Sequence, residues 1–536
     1  MHAQAFRSFL DLRPKRSSKL GIIAACTVLV AIVPLVFVLG EASALSAERW
    51  ASLWTTRLPE LISNTLLLSL LVAIGCSVLG IGAAWLVARR DFAGRKAAEW
   101  LLLLPLTIPT YVFAHIYTEL FDTDGWLGIA WKILFAESIA IPDLYNIWGT
   151  TFILSLAGFS YMYLLVRGAL SHSTRSLEEA GRLQGLGPLR IFFQINLPLL
   201  RPAIAAGLAL IILHVLSDFG AVSMLRFQTF TLSIYTQMSG RMDYQAAAAL
   251  ALMLVFLSLT FLVMERFFRN RQRYYSGSQS RVAQRKKAST RETLLIWSWL
   301  GPITLFSFVL PVLWMVSWTV EAIAHGNVDE RFVEYALNTG LIAFTAASVA
   351  LVVAFPIAFY HTRQQSFLSQ SFVNLSSVGF VLPGPVIALG VLTFIIATMP
   401  VAYGTLLALI VAVVIRFLPL AIQSQEAALQ QLTPSVEHAG RLLGAGPIEN
   451  LKRVVLPVIR GGLASAWVLV FIDTLKELPA TLLLRPTGFD TLPVRIWIEA
   501  SEEMLELAAP AALVLVIGTL PAIWIMRKGE RQAYQN

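Results

Sequence analysis

The chain has 536 residues, of which 57% are hydrophobic and 14% charged, and its mean hydropathy is +0.70. Soluble globular proteins use about 25% charged residues, so this composition excludes a soluble enzyme or binding module and places the chain in a membrane. The net charge of +9 requires no nucleic-acid partner, because the basic residues gather in loops on one side of the predicted topology.

A membrane span needs about twenty mostly apolar residues. About twelve such runs are predicted, starting near Leu20, Leu61, Ala98, Ile147, Pro202, Ala246, Leu294, Asn338, Phe372, Ala402, Gly462 and Leu507. The first, Leu20 to Gly40, has a basic flank like a signal peptide but is long and lacks a small-residue cleavage site, so it reads as an uncleaved anchor. Cys26 and Cys76 fall inside predicted spans and carry no redox or metal information. Six spans per half is an even number, which leaves the halves parallel rather than inverted. The predicted fold is all-α and polytopic: residues 1–270 form one six-helix half, 271–292 a basic linker, and 293–536 the second half.

Lys and Arg accumulate on the cytoplasmic side of membrane proteins. Arg7, Arg13, Lys15, Arg16 and Lys19 precede the first span, Arg89, Arg90, Arg95 and Lys96 follow the second, and the linker from Asn270 to Glu292 is rich in Arg, Gln and Ser. The opposite loops carry Asp122, Asp124, Glu137, Asp143, Asp329, Glu330 and Glu334. Both termini are therefore expected in the cytoplasm. The linker reads as a solvated tether, with contact to anionic lipid as the alternative.

One polar segment occurs twice. Glu178 to Pro188 reads EEAGRLQGLGP and Glu437 to Pro447 reads EHAGRLLGAGP, each followed by a Leu-Pro pair, Leu197-Pro198 and Leu456-Pro457. The offset is 259 throughout, whereas upstream Asn64, Thr65 and Pro109 match Asn338, Thr339 and Pro383 at an offset of 274. The first half thus carries about fifteen extra residues, expected around Asp122 to Asp143. Each repeat reads as a short surface helix, a turn and a second helix opening at proline. Gly185 and Gly187 are expected to supply backbone angles closed to other residues, and Pro188 suits a first helical turn. A solvated loop with no partner is the alternative.

These repeats resemble the cytoplasmic loop of permease subunits of ATP-binding-cassette importers, in which Glu-Ala-Ala is followed by Gly after three residues and by Ile-x-Leu-Pro after nine more. The first copy offers Glu179, Ala180, Gly181, Gly185 and Ile195 to Pro198; the second offers His438, Ala439, Gly440, Gly444 and Val454 to Pro457. The resemblance implies that Glu178, Glu179, Ala180, Gly181, Gly185 and Gly187, with Glu437, His438, Ala439, Gly440, Gly444 and Gly446, couple the chain to an ATPase. It implies two copies of a separate ATP-binding-cassette ATPase, a periplasmic or surface-tethered substrate-binding protein, and a bacterial inner membrane. The chain has no G-x-x-x-x-G-K-[ST] phosphate loop, so ATP is expected to be hydrolysed by the partner, with no covalently bound cofactor on this chain. His438 in place of glutamate is a departure from the family pattern.

The segments from Leu216 and Thr474 further resemble fused permeases for ferric iron. Sister families for thiamine, phosphonates or polyamines share the architecture. The residues themselves say less about cargo: Asp218 and Glu477 stand at the 259 offset beside the helix breakers Gly220 and Pro479. Acids in spans face a pathway or a partner, so both are candidates for the substrate pathway; an internal ion pair with Lys476, Arg226 or Arg485 is the alternative. His115, Glu119, His214, Arg416 and Asp473 are weaker pathway candidates, and no metal ligand set is assigned. A gradient-driven secondary transporter with Asp218 and Glu477 as ion sites is the competing class, which has no use for two matched docking loops. No nucleophile–base pair or H-E-x-x-H spacing indicates an enzyme.

Overall fold

The computed structural model of the chain describes residues 18–135, 138–172, 181, 183–270, 285–364, 366–376, 379, 382–430, 432, 436, 440, 442, 444, 446–502 and 504–533. The first half opens with α1 (Ser18–Ser43) and α2 (Leu58–Arg89). Next come α3 (Arg95–Leu101) and α4 (Thr110–Leu120), separated by a 3-10 turn, Leu104–Thr107, and bent by 99°. The half continues with α5 (Ile147–His172), α6 (Arg201–Ser217), the short α7 (Gly220–Met224) and α8 (Tyr244–Asn270).

In the second half α9 (Thr290–Thr304) and α10 (Leu310–His325) make one long rod, followed by α11 (Phe332–Arg363), α12 (Phe367–Ser376) and α13 (Gly384–Thr398). The half closes with α14 (Leu406–Gln430), α15 (Leu456–Leu475), α16 (Pro479–Leu484), α17 (Leu492–Ser501) and α18 (Leu505–Ala533). Eight of the described helices are long and apolar enough to cross a membrane, and ten if each of two bent pairs counts as a span. The shorter apolar stretches Gly384–Thr398 and Leu507–Pro521 occupy the remaining two of the twelve predicted positions. The extra residues of the first half form a helix of their own, Trp126–Phe135, with Ile133 and Leu134 exposed.

Helix ends follow local chemistry. Ser289 and Glu292 form a reciprocal capping box that opens α9, and Gly326 in the left-handed region closes α10. Three prolines near helix starts, Pro198, Pro311 and Pro457, each follow a π-helical turn: Phe192–Asn196, Leu305–Val309 and Leu451–Val455. Proline has no N–H to offer the carbonyl four residues back and crowds it. A wider turn just before the ring relieves that conflict. The first and third are related by the 259 offset.

Packing units and sequence halves do not coincide. One core joins α2, α4 and α5 of the first half, through Leu68, Val72, Tyr117, Phe159 and Met162, to Leu300 and Trp314 of the α9–α10 rod and Ala508 to Val516 of α18. The other joins Val28, Ala31 and Val38 of α1 and Leu250 and Leu254 of α8 to Ala346, Val386, Leu409 and Val470 of the second half. The first helix of each half, α1 and the α9–α10 rod, thus reaches onto the opposite half. Each exchanged rod docks at a backbone irregularity. Tyr117 donates its hydroxyl to the Phe306 carbonyl inside the π turn of the α9–α10 rod, and Gly390 lies against the backbone of Pro34, where a Cβ would collide.

The end of the linker is pinned rather than loose. Lys286–Lys287 pairs as a two-residue parallel strand, β2, with β1 (Arg90–Asp91) at the end of α2. The Ala288 N–H donates to the Asp91 carbonyl at 2.8 Å, and Trp297 Nε1 donates to the Ala93 carbonyl at 2.9 Å. The tether expected over 271–292 is therefore corrected from Lys286 onward, and residues 271–284 lie outside the described residues.

Candidate functional site

The repeated loops are built alike. Glu178, Glu179, Ala180, Glu437, His438 and Ala439 lie outside the described residues; the glycines that follow them do not. A Cβ on Gly181 would press on Ile195 Cδ1, and one on Gly440 would meet Asn450 Oδ1 and Val454 Cγ2. Ile195 and Val454 are equivalent at the 259 offset, so glycine at this third position lets the loop fold onto the helix that follows. Gly185 and Gly444 take φ values of +79° and +88° with open space around them, which makes the turn itself the reason for glycine.

Gly187 and Gly446 do not adopt that conformation. The expectation that Gly187 supplies a left-handed angle is therefore corrected. Instead their carbonyls accept from the N–H groups of Ile191 and Asn450, at 3.0 and 2.8 Å, and start the next helix. Leu183 and Leu442, again 259 apart, are 90% and 88% exposed at the loop tips. A cavity of about 540 Å³ beside the second loop is lined by Gly446, Ile448, Glu449, Lys452 and Arg453.

The two span acids cap the short helices that follow the helix breaks. Asp218 Oδ1 accepts from the N–H groups of Ala221 and Val222 at 3.0 and 3.3 Å, and Thr110 Oγ1 donates to Oδ2 at 2.5 Å. Glu477 Oε1 accepts from the Ala480 N–H at 3.0 Å, the equivalent of the Ala221 bond. Both carboxylates face backbone donors at the start of a helix, where its dipole favours negative charge. Glu477 also holds a two-pronged ion pair with Arg416, whose Nη1 and Nε each lie 3.2 Å from a carboxylate oxygen. Its partner is Arg416 and not Lys476, Arg226 or Arg485.

Neighbouring residues explain the difference between halves. At the 274 offset Thr110 corresponds to Gly384, and a Cβ on Gly384 would overlap the Arg416 guanidinium and stand 2.6 Å from Pro479 Cγ. The second half leaves out a side chain to admit the arginine, whereas the first uses a threonine hydroxyl. Sequence reasoning placed Arg416 among polar span residues but had no signal for its pairing, since 61 residues separate it from Glu477.

The weaker candidates are also placed. His115 is buried edge-on against Trp314 of the exchanged rod, with ring centroids 5.6 Å apart. His214 lies 5.4 Å from the Tyr161 ring. Asp473, the 259-offset equivalent of His214, pairs with Lys476 at 3.6 Å, and Lys476 Nζ donates to the Leu106 carbonyl of the first half at 3.2 Å.

On the opposite end from the repeated loops, Asn64 Nδ2 donates to the Gln228 carbonyl at 3.1 Å and Asn338 Nδ2 to the Asp490 carbonyl at 3.0 Å. These bonds account for the matched asparagines, which tie the second helix of each half to the loop after its broken helix. There Arg495 bridges Asp329 at 3.5 Å and Glu499 at 2.8 Å. The Arg331 backbone N–H, the Tyr335 hydroxyl and Arg495 hold the Asp329 carboxyl below its ordinary range.

A duplicated all-helical membrane protein with interlocked halves, paired broken helices and two matched surface loops has the build of a transport permease. Residues 77–274 and 348–532 each match the family described as binding-protein-dependent transport system inner membrane component. The chain belongs to that family, and carries its domain twice. The Fe(3+)-transport system permease protein FbpB 2 of Haemophilus influenzae is 30% identical over 501 residues, covering 92% of this chain and 95% of that protein. The putative ferric transport system permease protein FbpB 1 of the same organism is 26% identical over 82% of this chain and 72% of its own length. The sulfate transport system permease protein CysT of Salmonella typhimurium is 28% identical but matches only 41% of this chain, with 80% of its own length covered.

Proposed function

We propose that the chain is the fused permease of an ATP-driven importer that moves ferric iron from a binding protein across the bacterial inner membrane. The observation that carries the coupling role is the pair of loops at one offset, each with a left-handed glycine and a nearly fully exposed leucine. An apolar side chain held out by a rigid turn is a docking anchor, because it loses little conformational freedom when a partner covers it. One ATPase copy sits under each loop and hydrolyses the ATP; the chain performs no chemistry on its cargo. Both termini, the linker and both loops face the cytoplasm, in keeping with the arginine and lysine distribution.

Iron as cargo rests on the full-length likeness to ferric permeases, which the half-length likeness to a sulfate permease does not match. A deletion strain should lose uptake of labelled ferric iron and regain it with this gene. Restoration of sulfate or molybdate uptake alone would overturn the cargo assignment. Leu183→Asp with Leu442→Asp should abolish copurification of the ATPase while the permease remains in the membrane. Cysteines placed at Gln279 and Gln532 should react only from the cytoplasm and one at Asn327 only from outside.

A further inference from the structure

Asp218 and Glu477 are buried and fully engaged, but one turn below Glu477 on α15 the Asp473 side chain is 45% exposed. A carboxylate on a span that faced lipid would be costly, so a half-exposed one fits a hydrated, polar face of α15. Aromatic groups of the first half lie near this end of α15, with the Tyr161 and His214 rings 5.4 Å apart. Tyr161 of α5 lies within electrostatic reach of Asp473, and His214 of α6 within reach of Lys476 and Arg416. Farther down α15, toward the repeated loop, Ser465, Ala464 and Gly461 are exposed, with buried or half-buried residues between them and Asp473; above Asp473, Glu477 is buried.

Among the described residues Asp473 has one ionic contact, 3.6 Å to Lys476, in contrast to the two 3.2 Å contacts that bind Glu477. Lys476 also reaches across the seam to the Leu106 carbonyl, in the 3-10 turn of the bent pair α3 and α4. A lone ammonium held loosely at a carboxylate is readily replaced by a hard cation of higher charge, which prefers oxygen donors.

We propose that Asp473 is the cargo contact in the translocation cleft and that Lys476 is its resident counter-ion, displaced by a hard cation so that the Lys476–Leu106 bridge between the halves opens. The Tyr161 hydroxyl across the seam offers a second oxygen. In this arrangement cargo entry and release of the cross-half bridge are the same event. The inference rests on the proposed cation cargo.

The test uses the complete complex, with its ATPase and binding protein, in proteoliposomes, reading labelled ferric iron moved per ATP hydrolysed. Asp473→Asn should lower that ratio about tenfold or more, the range of a lost ionic contact of at least 1.4 kcal/mol. Asp473→Glu should recover most of it. Lys476→Gln should raise ATP hydrolysis in the absence of binding protein, because the bridge is gone, while iron still moves.

An unchanged ratio in Asp473→Asn overturns the inference. So does equal damage from Asp473→Asn and Lys476→Gln with full recovery in the double variant, which would make the pair merely structural. If Asp473→Asn does not assemble, Asp473→Cys in a background with Cys26 and Cys76 replaced by Ser takes its place. Reaction with a charged thiol reagent applied from the repeated-loop side is expected, and no reaction overturns the inference. A wild-type complex that moves sulfate but no iron overturns the cargo reading instead, which separates the two failures.

Discussion

Replacing Arg416 by Met should be the most damaging single change in the seam between the halves. The Glu477 side chain is 2% exposed and receives two contacts of 3.2 Å from that guanidinium. Taking away one partner of a buried ion pair leaves an uncompensated charge at a cost of about 3–5 kcal/mol, a large fraction of the 5–15 kcal/mol that typically holds a domain together. Glu477→Gln is milder. Gln retains an oxygen for the Ala480 N–H, and Arg416, 20% exposed, can hydrate, so the loss is about 1–2 kcal/mol. The double variant Arg416→Met with Glu477→Gln removes the orphan charge and should regain most of the stability lost by Arg416→Met alone. The assay is the thermal midpoint and monodisperse yield of detergent-solubilised protein for the three variants. Arg416→Met as stable as the parent, or a double variant no better than Arg416→Met, would refute the reasoning.

Three further changes probe other elements. Gly185→Ala and Gly444→Ala should each cost about 1–2 kcal/mol of turn strain and weaken ATPase copurification, whereas Gly187→Ala and Gly446→Ala, at ordinary φ, should leave it intact. Tyr117→Phe removes the donor to the Phe306 carbonyl in a π turn, so the thermal midpoint of the purified protein should fall, by an amount equivalent to about 1–3 kcal/mol. Gly384→Ala should mimic Arg416→Met in the same measurement, because its methyl group takes the place of the guanidinium; Thr110→Ala, which loses one hydrogen bond to Asp218, should be much milder.

The apolar runs and the basic loops made most of the spans legible, because hydropathy and charge are carried by single residues; among the described residues, eight to ten of the about twelve expected runs are long and apolar enough to cross. The loop repeats were legible for the same reason. What stayed hidden depends on which helices meet. Nothing in α1 or in the α9–α10 rod announces that each packs on the opposite half, since lipid-facing and protein-facing positions are equally apolar and hydrophobicity gives no drive to one pairing over another. The bend between α3 and α4 is hidden in one apolar run starting near Ala98, because Pro105 and Pro109 interrupt a stretch whose hydropathy does not change. Asp218 and Glu477 were legible as matched acids, but their capping role required the backbone N–H groups of Ala221 and Ala480 to be turned toward them.

The matched positions that differ carry the argument furthest. A symmetric dimer of one half would cap both broken helices in the same way, either with a threonine hydroxyl or with an arginine over a glycine. Fusion removes that constraint: each half always faces the other, so the first can cap its broken helix with Thr110 and the second with Arg416 over Gly384. The same freedom puts His214 opposite Asp473 and leaves Lys476 with no equivalent but Ser217. Beyond the matched acids Asp218 and Glu477, the second half alone adds an ion pair here, Asp473 with Lys476. On the proposed cargo path a carboxylate and its counter-ion come from the second half, and a phenol and an imidazole from the first.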